Sequence, residues 1–205
     1  MPGRREQRVR SIPSPGAVPP AAASREPRAP RSVSPAVRHI VLLGLMGSGK
    51  STVGRLLARR LGWRYRDNDV SLTSETGATA REINARLGPE ALHRLEARDL
   101  LDALASTDRA VVGAAASTIE HDASRQALAR PSVFPVWLRV DPAILSRRVH
   151  TGDHRPELAA NLQGLLERQH ASRGPLFASV ALLVVDSGEP SPDEIATAIA
   201  GALPG

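Results

Sequence analysis

The stretch "HIVLLGLMGSGKSTVGRLLARRLG", residues 39–62, decides the architecture. It begins with a short apolar run, His39 to Leu43, of the kind buried in a parallel sheet. It ends with Val53, Leu56, Leu57 and Leu61 at helical intervals, closed by Gly62. Between the two, Gly44 to Ser51 fits G-x-x-x-x-G-K-[ST], and a strand before it with a helix after it is the context this motif requires. Glycines let the backbone turn its N–H groups toward phosphate oxygens, and the helix that follows adds its positive N-terminal end. Gly47, Ser48, Gly49, Lys50, Ser51 and Thr52 are therefore expected to bind a nucleotide, with Lys50 reaching the β and γ phosphates. The Ser51 hydroxyl is expected to face Mg²⁺. Lys50 is the only lysine among 27 basic residues, so a chain that otherwise uses arginine keeps one compact ammonium at this point.

Working outward, the chain is long enough, at 205 residues, for one domain with a substantial core and a tail. It has no cysteine, which excludes disulfides and thiolate metal sites. No apolar run approaches the ~20 residues of a spanning helix, and no apolar stretch follows the basic N-terminus. The expectation is a cytoplasmic monomer without membrane contact. The net charge of +6 suggests nucleic acid, but its distribution argues otherwise. Residues 1–38 hold eight arginines and two glutamates, and the remaining residues hold nineteen charges of each sign. The excess lies in the tail, so no specific nucleic-acid partner is expected.

Residues 1–37, rich in Pro, Arg, Ala and Ser, are expected to be disordered, and 38–205 to form the domain. A transit peptide shares the Arg/Ser bias, although the proline density opposes its amphipathic helix. Further strands are expected at "RAVVGA", "VFPVWLRVD" and "ALLVVDS", the last ending at Asp186. "EALHRLEARDLLDALA" is expected to be an amphipathic helix with Leu92, Leu95, Leu100, Leu101 and Leu104 in the core. Other helices are expected near 123–129, 142–150, 157–171 and 191–203. Strands alternating with helices predict an α/β fold, a parallel sheet covered on both faces.

Seventeen residues after Lys50 comes "YRDNDV". Such a triplet is often only a turn or a helix N-cap. Beside a phosphate loop, Asp67 and Asp69 could divide two tasks, one toward Mg²⁺ and one toward an attacking hydroxyl. Arg148 and Arg155 flank "RVHTGDHRP", which reads either as a solvated loop or as a lid, about 149–158, with arginine over the γ phosphate. Arg173, before "GPLF", is expected to end a helix, where it could simply oppose the dipole. "EHD" at 120–122 reads as a polar turn, and no transition-metal site is expected from His150 and His154.

Taken in order, "GLMGSGKSTVGRLLARRLG", "DND", "TGAT", "LHRLE", "RRVHTGDHRP", "SRGPLF" and "LLVVD" resemble shikimate kinases from about residue 39 to 186. The resemblance implies a P-loop NTPase of the nucleoside-monophosphate-kinase type, a three-layer α/β/α domain with a five-stranded parallel sheet and a lid. It implies ATP and Mg²⁺ as cofactors and a hydroxylated small molecule, shikimate or a relative, as phosphate acceptor. By the same resemblance, Ser51 and Asp67 would face the metal and Asp69 the acceptor hydroxyls. Arg155 would cover the phosphates, Arg148 would border the adenine, and Arg173 would meet the acceptor's carboxylate.

Two positions depart from the family pattern. His93 stands where a second carboxylate-binding arginine is usual, and Ala114, Ala115 and Ala116 replace a glycine triplet. His93, Ala115 and Ala116 are nonetheless expected to line the acceptor site. A histidine pairs with a carboxylate only when protonated, and alanine in a left-handed conformation would cost roughly 1–2 kcal/mol. These changes leave two readings: an active small-molecule kinase, or a nucleotide-binding regulatory or scaffolding protein that has lost phosphotransfer.

Overall fold

The computed structural model describes residues 36–150 and 161–205, and of His150 the backbone alone. Residues 151–158 of the expected lid, with Arg155, lie outside the described residues, as does the tail up to residue 35, while 149 and 150 end a described helix. The chain runs β1 (His39–Leu43), α1 (Lys50–Leu61), β2 (Arg64–Asp67), α2 (Asn68–Thr76), α3 (Ala80–Leu87) and α4 (Pro89–Ala105). It continues through β3 (Ala110–Gly113), a 3₁₀ turn (Ala116–Glu120), α5 (Asp122–Leu128), β4 (Val133–Arg139) and α6 (Pro142–His150). Then come α7 (Leu162–Val180), β5 (Leu183–Asp186) and α8 (Pro192–Ala202). The five strands form one sheet in the order β2-β3-β1-β4-β5, with every pair parallel.

Strand β1 lies in the middle and is buried along its whole length, which explains its unbroken apolar character. Its alternation splits the core. Val41 and Leu43 pack with Leu100, Leu104, Ile119, Leu166 and Phe177 on one face of the sheet. Ile40 and Leu42 pack with Val53, Leu57, Ile195 and Ile199 on the other. Removing such side chains from water contributes about 1.5–3 kcal/mol each, so the central strand anchors both layers. Among the described residues, core packing begins at Val37, which is 5% exposed.

Two local expectations are corrected. Arg173 does not end a helix, because α7 continues through Gly174 and Pro175 to Val180. Its capping reading therefore falls. In α4, Leu100 and Leu104 are buried in the main core. Leu92 and Leu95 instead pack on a small cluster of Leu72, Ala80 and Ile83, which joins α2 and α3 to the domain.

His39 opens β1 at 1% exposure, and among the described residues neither ring nitrogen makes a well-formed hydrogen bond. Burial first, and the Arg38 charge second, lower its pKa, and the nearby Asp108 backbone offsets this only in part. The unfolded chain thus takes up this proton at a higher pH than the folded one. Stability should be complete above the unfolded value near 6.5 and decline as pH falls below it. The slope should reach at most about 1.4 kcal/mol per pH unit. Denaturant melts between pH 8 and pH 5 would measure this. His39→Leu should flatten the decline, and an unchanged slope in that variant would assign it elsewhere.

Candidate active site

The phosphate loop leaves the C-terminal end of β1 and enters α1 at Lys50. Gly47 and Gly49 adopt φ of 81° and 91°, the left-handed region where a side chain is strained. This is the physical reason for the motif's glycines. Lys50 turns back into the loop and donates from Nζ to the carbonyls of Gly44 and Leu45, at 2.8 and 3.0 Å. Burial pulls the pKa of this ammonium down to about 8, against the opposing influence of Asp69, Asp67 and Glu96 in that order. Ser48 is buried with no partner for its hydroxyl among the described residues, while its carbonyl accepts from Ser187 Oγ at 3.2 Å. Thr52 faces the cleft from the first turn of α1.

At the end of β2 the two readings of the D-N-D triplet prove compatible. Asp67 is the N-cap of α2, accepting from the Asp69 backbone N–H at 3.2 Å. It also accepts from Ser51 Oγ at 2.8 Å and from Tyr65 Oη at 2.8 Å. Three donors therefore fix this carboxylate. Asp69 stands exposed on the cleft's edge, and among the described residues no hydrogen bond holds its carboxylate. Asn68, between them, is buried and donates to Asp99 Oδ2 at 2.7 Å and to the Glu96 carbonyl at 3.3 Å. Arg66 pairs with the same Asp99. This buried cluster fastens the start of α2 to α4 and so sets where both acids point.

Tyr65 was not singled out by the sequence. Its ring lies so close to Gly54 that a Cβ there would stand 2.2 Å from Tyr65 Cε2. A Cβ at Gly113 would stand 2.5 Å from Tyr65 Oη. Burial, followed by the bond to Asp67, raises the pKa of the Tyr65 hydroxyl and keeps it a donor. A strand tyrosine is a common core residue, and only the fold reveals its contact with the acid.

The loop, both acids and the far wall enclose one cleft of about 640 Å³, within the range of small-ligand sites. The far wall brings together His93, Glu96, Ala114, Ala115, Ala116, Ser117 and Arg173. Ala115 has φ −62° and ψ 146°, and Ala116 begins the 3₁₀ turn, so left-handed strain is absent at Ala115. The added methyl groups occupy space without distorting the chain there. Ser117 donates to Glu96, which is buried. Arg173 is buried and paired with Glu120, a residue that reads as turn in the sequence. Arg148, on α6, lines the cleft and donates to the Gly188 carbonyl at 2.8 Å.

The donor set suits Mg²⁺ and a nucleotide. Ser51 Oγ and Asp67 Oδ2 form an oxygen-only pair beside a glycine-rich cradle, and Mg²⁺ uses few protein oxygens when phosphates supply others. No helix among the described residues is long and apolar enough to cross a membrane.

Comparison with known proteins agrees with this geometry. The shikimate kinase family profile matches residues 46–204. The shikimate kinase of Thermobifida fusca is 37% identical over 164 residues, covering 80% of this chain and 94% of that protein. That of Symbiobacterium thermophilum is 37% identical over 146 residues, covering 70% and 83%. Among solved structures, an Acinetobacter baumannii shikimate kinase in complex with shikimate superimposes with a TM-score of 0.74 at 27% identity. The superposition covers 80% of this chain and 90% of that one. With the profile spanning nearly all of the described fold and relatives above a third identical along most of their length, the chain belongs to the shikimate kinase family, ATP- and Mg²⁺-dependent enzymes that phosphorylate a hydroxyl of a small molecule.

Proposed function

We propose that the acceptor is shikimate and that the cleft divides the work between two walls. The observation that carries this is the single cleft joining the Lys50 loop, the Ser51–Asp67 pair and Asp69 to a far wall bearing Arg173. Lys50 and the loop amides would hold the β and γ phosphates, and Ser51 and Asp67 would hold Mg²⁺. When bound, Mg²⁺ would neutralise phosphate charge and ATP would supply the phosphoryl group. Asp69, whose carboxylate is not committed elsewhere among the described residues, orients the acceptor hydroxyl and takes its proton. His93, Ala115, Ala116 and Arg173 shape the acceptor end, and Arg148 borders the base. Arg155, outside the described residues, is assigned to the γ phosphate by resemblance alone. Catalysis of this kind rests on positioning and charge stabilisation.

The Lys50 loop, the Ser51–Asp67 pair and Asp69 all border one cleft, which favours an active kinase over the degenerate reading. Purified protein with MgATP should release ADP in a saturable, shikimate-dependent way. ATP binding with no ADP release above background at any shikimate concentration would refute shikimate as acceptor.

A further inference from the structure

The far wall of the cleft carries a charge arrangement that its motifs do not explain. Arg173 Nε donates to Glu120 Oε1 at 2.9 Å, and Nη2 donates to Oε2 at 3.3 Å. Both bonds use one edge of the guanidinium, an arrangement that satisfies a carboxylate in bidentate fashion. His93 Nδ1 lies 3.9 Å from the same Glu120 Oε2. Arg173 and His93 line the cleft, whereas Glu120 approaches them from outside its lining, at the last residue of the 3₁₀ turn. Burial, then the Arg173 charge, lower the His93 pKa, and the Glu120 charge offsets this only in part, so His93 adds no reliable cation at neutral pH. Asp69 and Glu96 add negative charge on the same cleft. Arg173 is therefore already matched by a carboxylate of the chain itself.

We propose that Glu120 is a specificity-determining residue that competes within the chain for Arg173, so that an acceptor's carboxylate adds little to binding. A neutral hydroxylated ring then binds about as well as the corresponding acid. An incoming carboxylate must share or displace a bidentate partner and meets the like charge of Glu120 as it does so. An uncharged group at the same position meets neither obstacle. The inference deepens the assignment of this cleft as the acceptor site and rests on it.

The test uses the full chain with MgADP and two probes of nearly equal shape, shikimate and its methyl ester, titrated calorimetrically. The wild type should bind acid and ester within about threefold of each other, whereas Glu120→Gln should tighten the acid by about tenfold and the ester by less than threefold. Glu120→Ala should move the ratio in the same direction, which guards against a fold defect particular to one variant. In steady-state assays the acid-to-ester ratio of kcat/KM should shift likewise, through the KM of the acid. A purely structural Glu120 would weaken both probes together and leave the ratio alone. A wild-type preference for the acid of more than about tenfold, or a ratio unmoved in both variants, overturns the proposal. So does failure of both probes to bind any of the proteins. Binding without turnover would remove the kinase reading, yet the binding ratio would still decide the role of Glu120.

Discussion

Lys50→Met should lower phosphoryl transfer by on the order of a thousandfold, measured as kcat for ADP release at saturating MgATP and acceptor. Lys50 Nζ is directed inward by two backbone carbonyls, those of Gly44 and Leu45, within a turn that Gly47 and Gly49 make possible through positive φ. The ammonium is thus positioned before a phosphate arrives, and little reorganisation is needed as charge moves from the γ phosphate. Methionine keeps the length and removes the charge. Lys50→Arg is the sharper control, because it keeps the charge and changes its shape. A planar fork with five donors cannot satisfy two carbonyls and phosphate oxygens in the space of one ammonium. Its kcat should fall by at least about a hundredfold. Near-normal activity in the arginine variant would show that charge alone suffices, and would leave the chain's single lysine without an explanation.

The parts of this site that were legible in the sequence are those built from neighbouring residues. The strand, loop and helix of 39–62 lie together in the chain, and their apolar periods and glycines follow directly from backbone geometry. The order of the family motifs led to the sheet and to the cleft for the same reason. Arg173 is expected at the acceptor end and does line the cleft, but its pairing is not legible in the sequence. Its partner Glu120 lies 53 residues away, in a segment that looks like an ordinary polar turn. The sequence predicts that its helix ends at Arg173, just before Gly174 and Pro175, yet α7 runs on through them with Phe177 buried in the core. Tyr65 and Asn68 were missed for a related reason. Each is unremarkable locally, and each acquires its role from contacts with Gly54, Gly113, Glu96 and Asp99 that only the fold creates. The left-handed strain expected of alanine in place of a glycine triplet is absent at Ala115, whose dihedrals are those of ordinary extended chain.

Asp69→Asn should reduce kcat by about a hundredfold to ten-thousandfold, the range expected when a positioned general base is lost. Nucleotide affinity should change little. The separation from Asp67 is what makes this specific. Asp67 is fixed by Ser51 Oγ, Tyr65 Oη and the Asp69 amide, so its carboxylate has little freedom to follow an acceptor proton. Asp69 shares the same helix start, and Asn68 anchors that start to α4, but its own carboxylate stays on the open edge of the cleft. Asp67→Asn should therefore raise the Mg²⁺ concentration needed for half-maximal rate, while Asp69→Asn should leave that requirement nearly unchanged and lower the maximal rate. The two titrations against Mg²⁺ separate the roles within one experiment. If Asp69→Asn shifted the metal requirement and Asp67→Asn did not, the assignments would be reversed. The donors around Asp67 would then serve to orient a base rather than to hold a metal ligand.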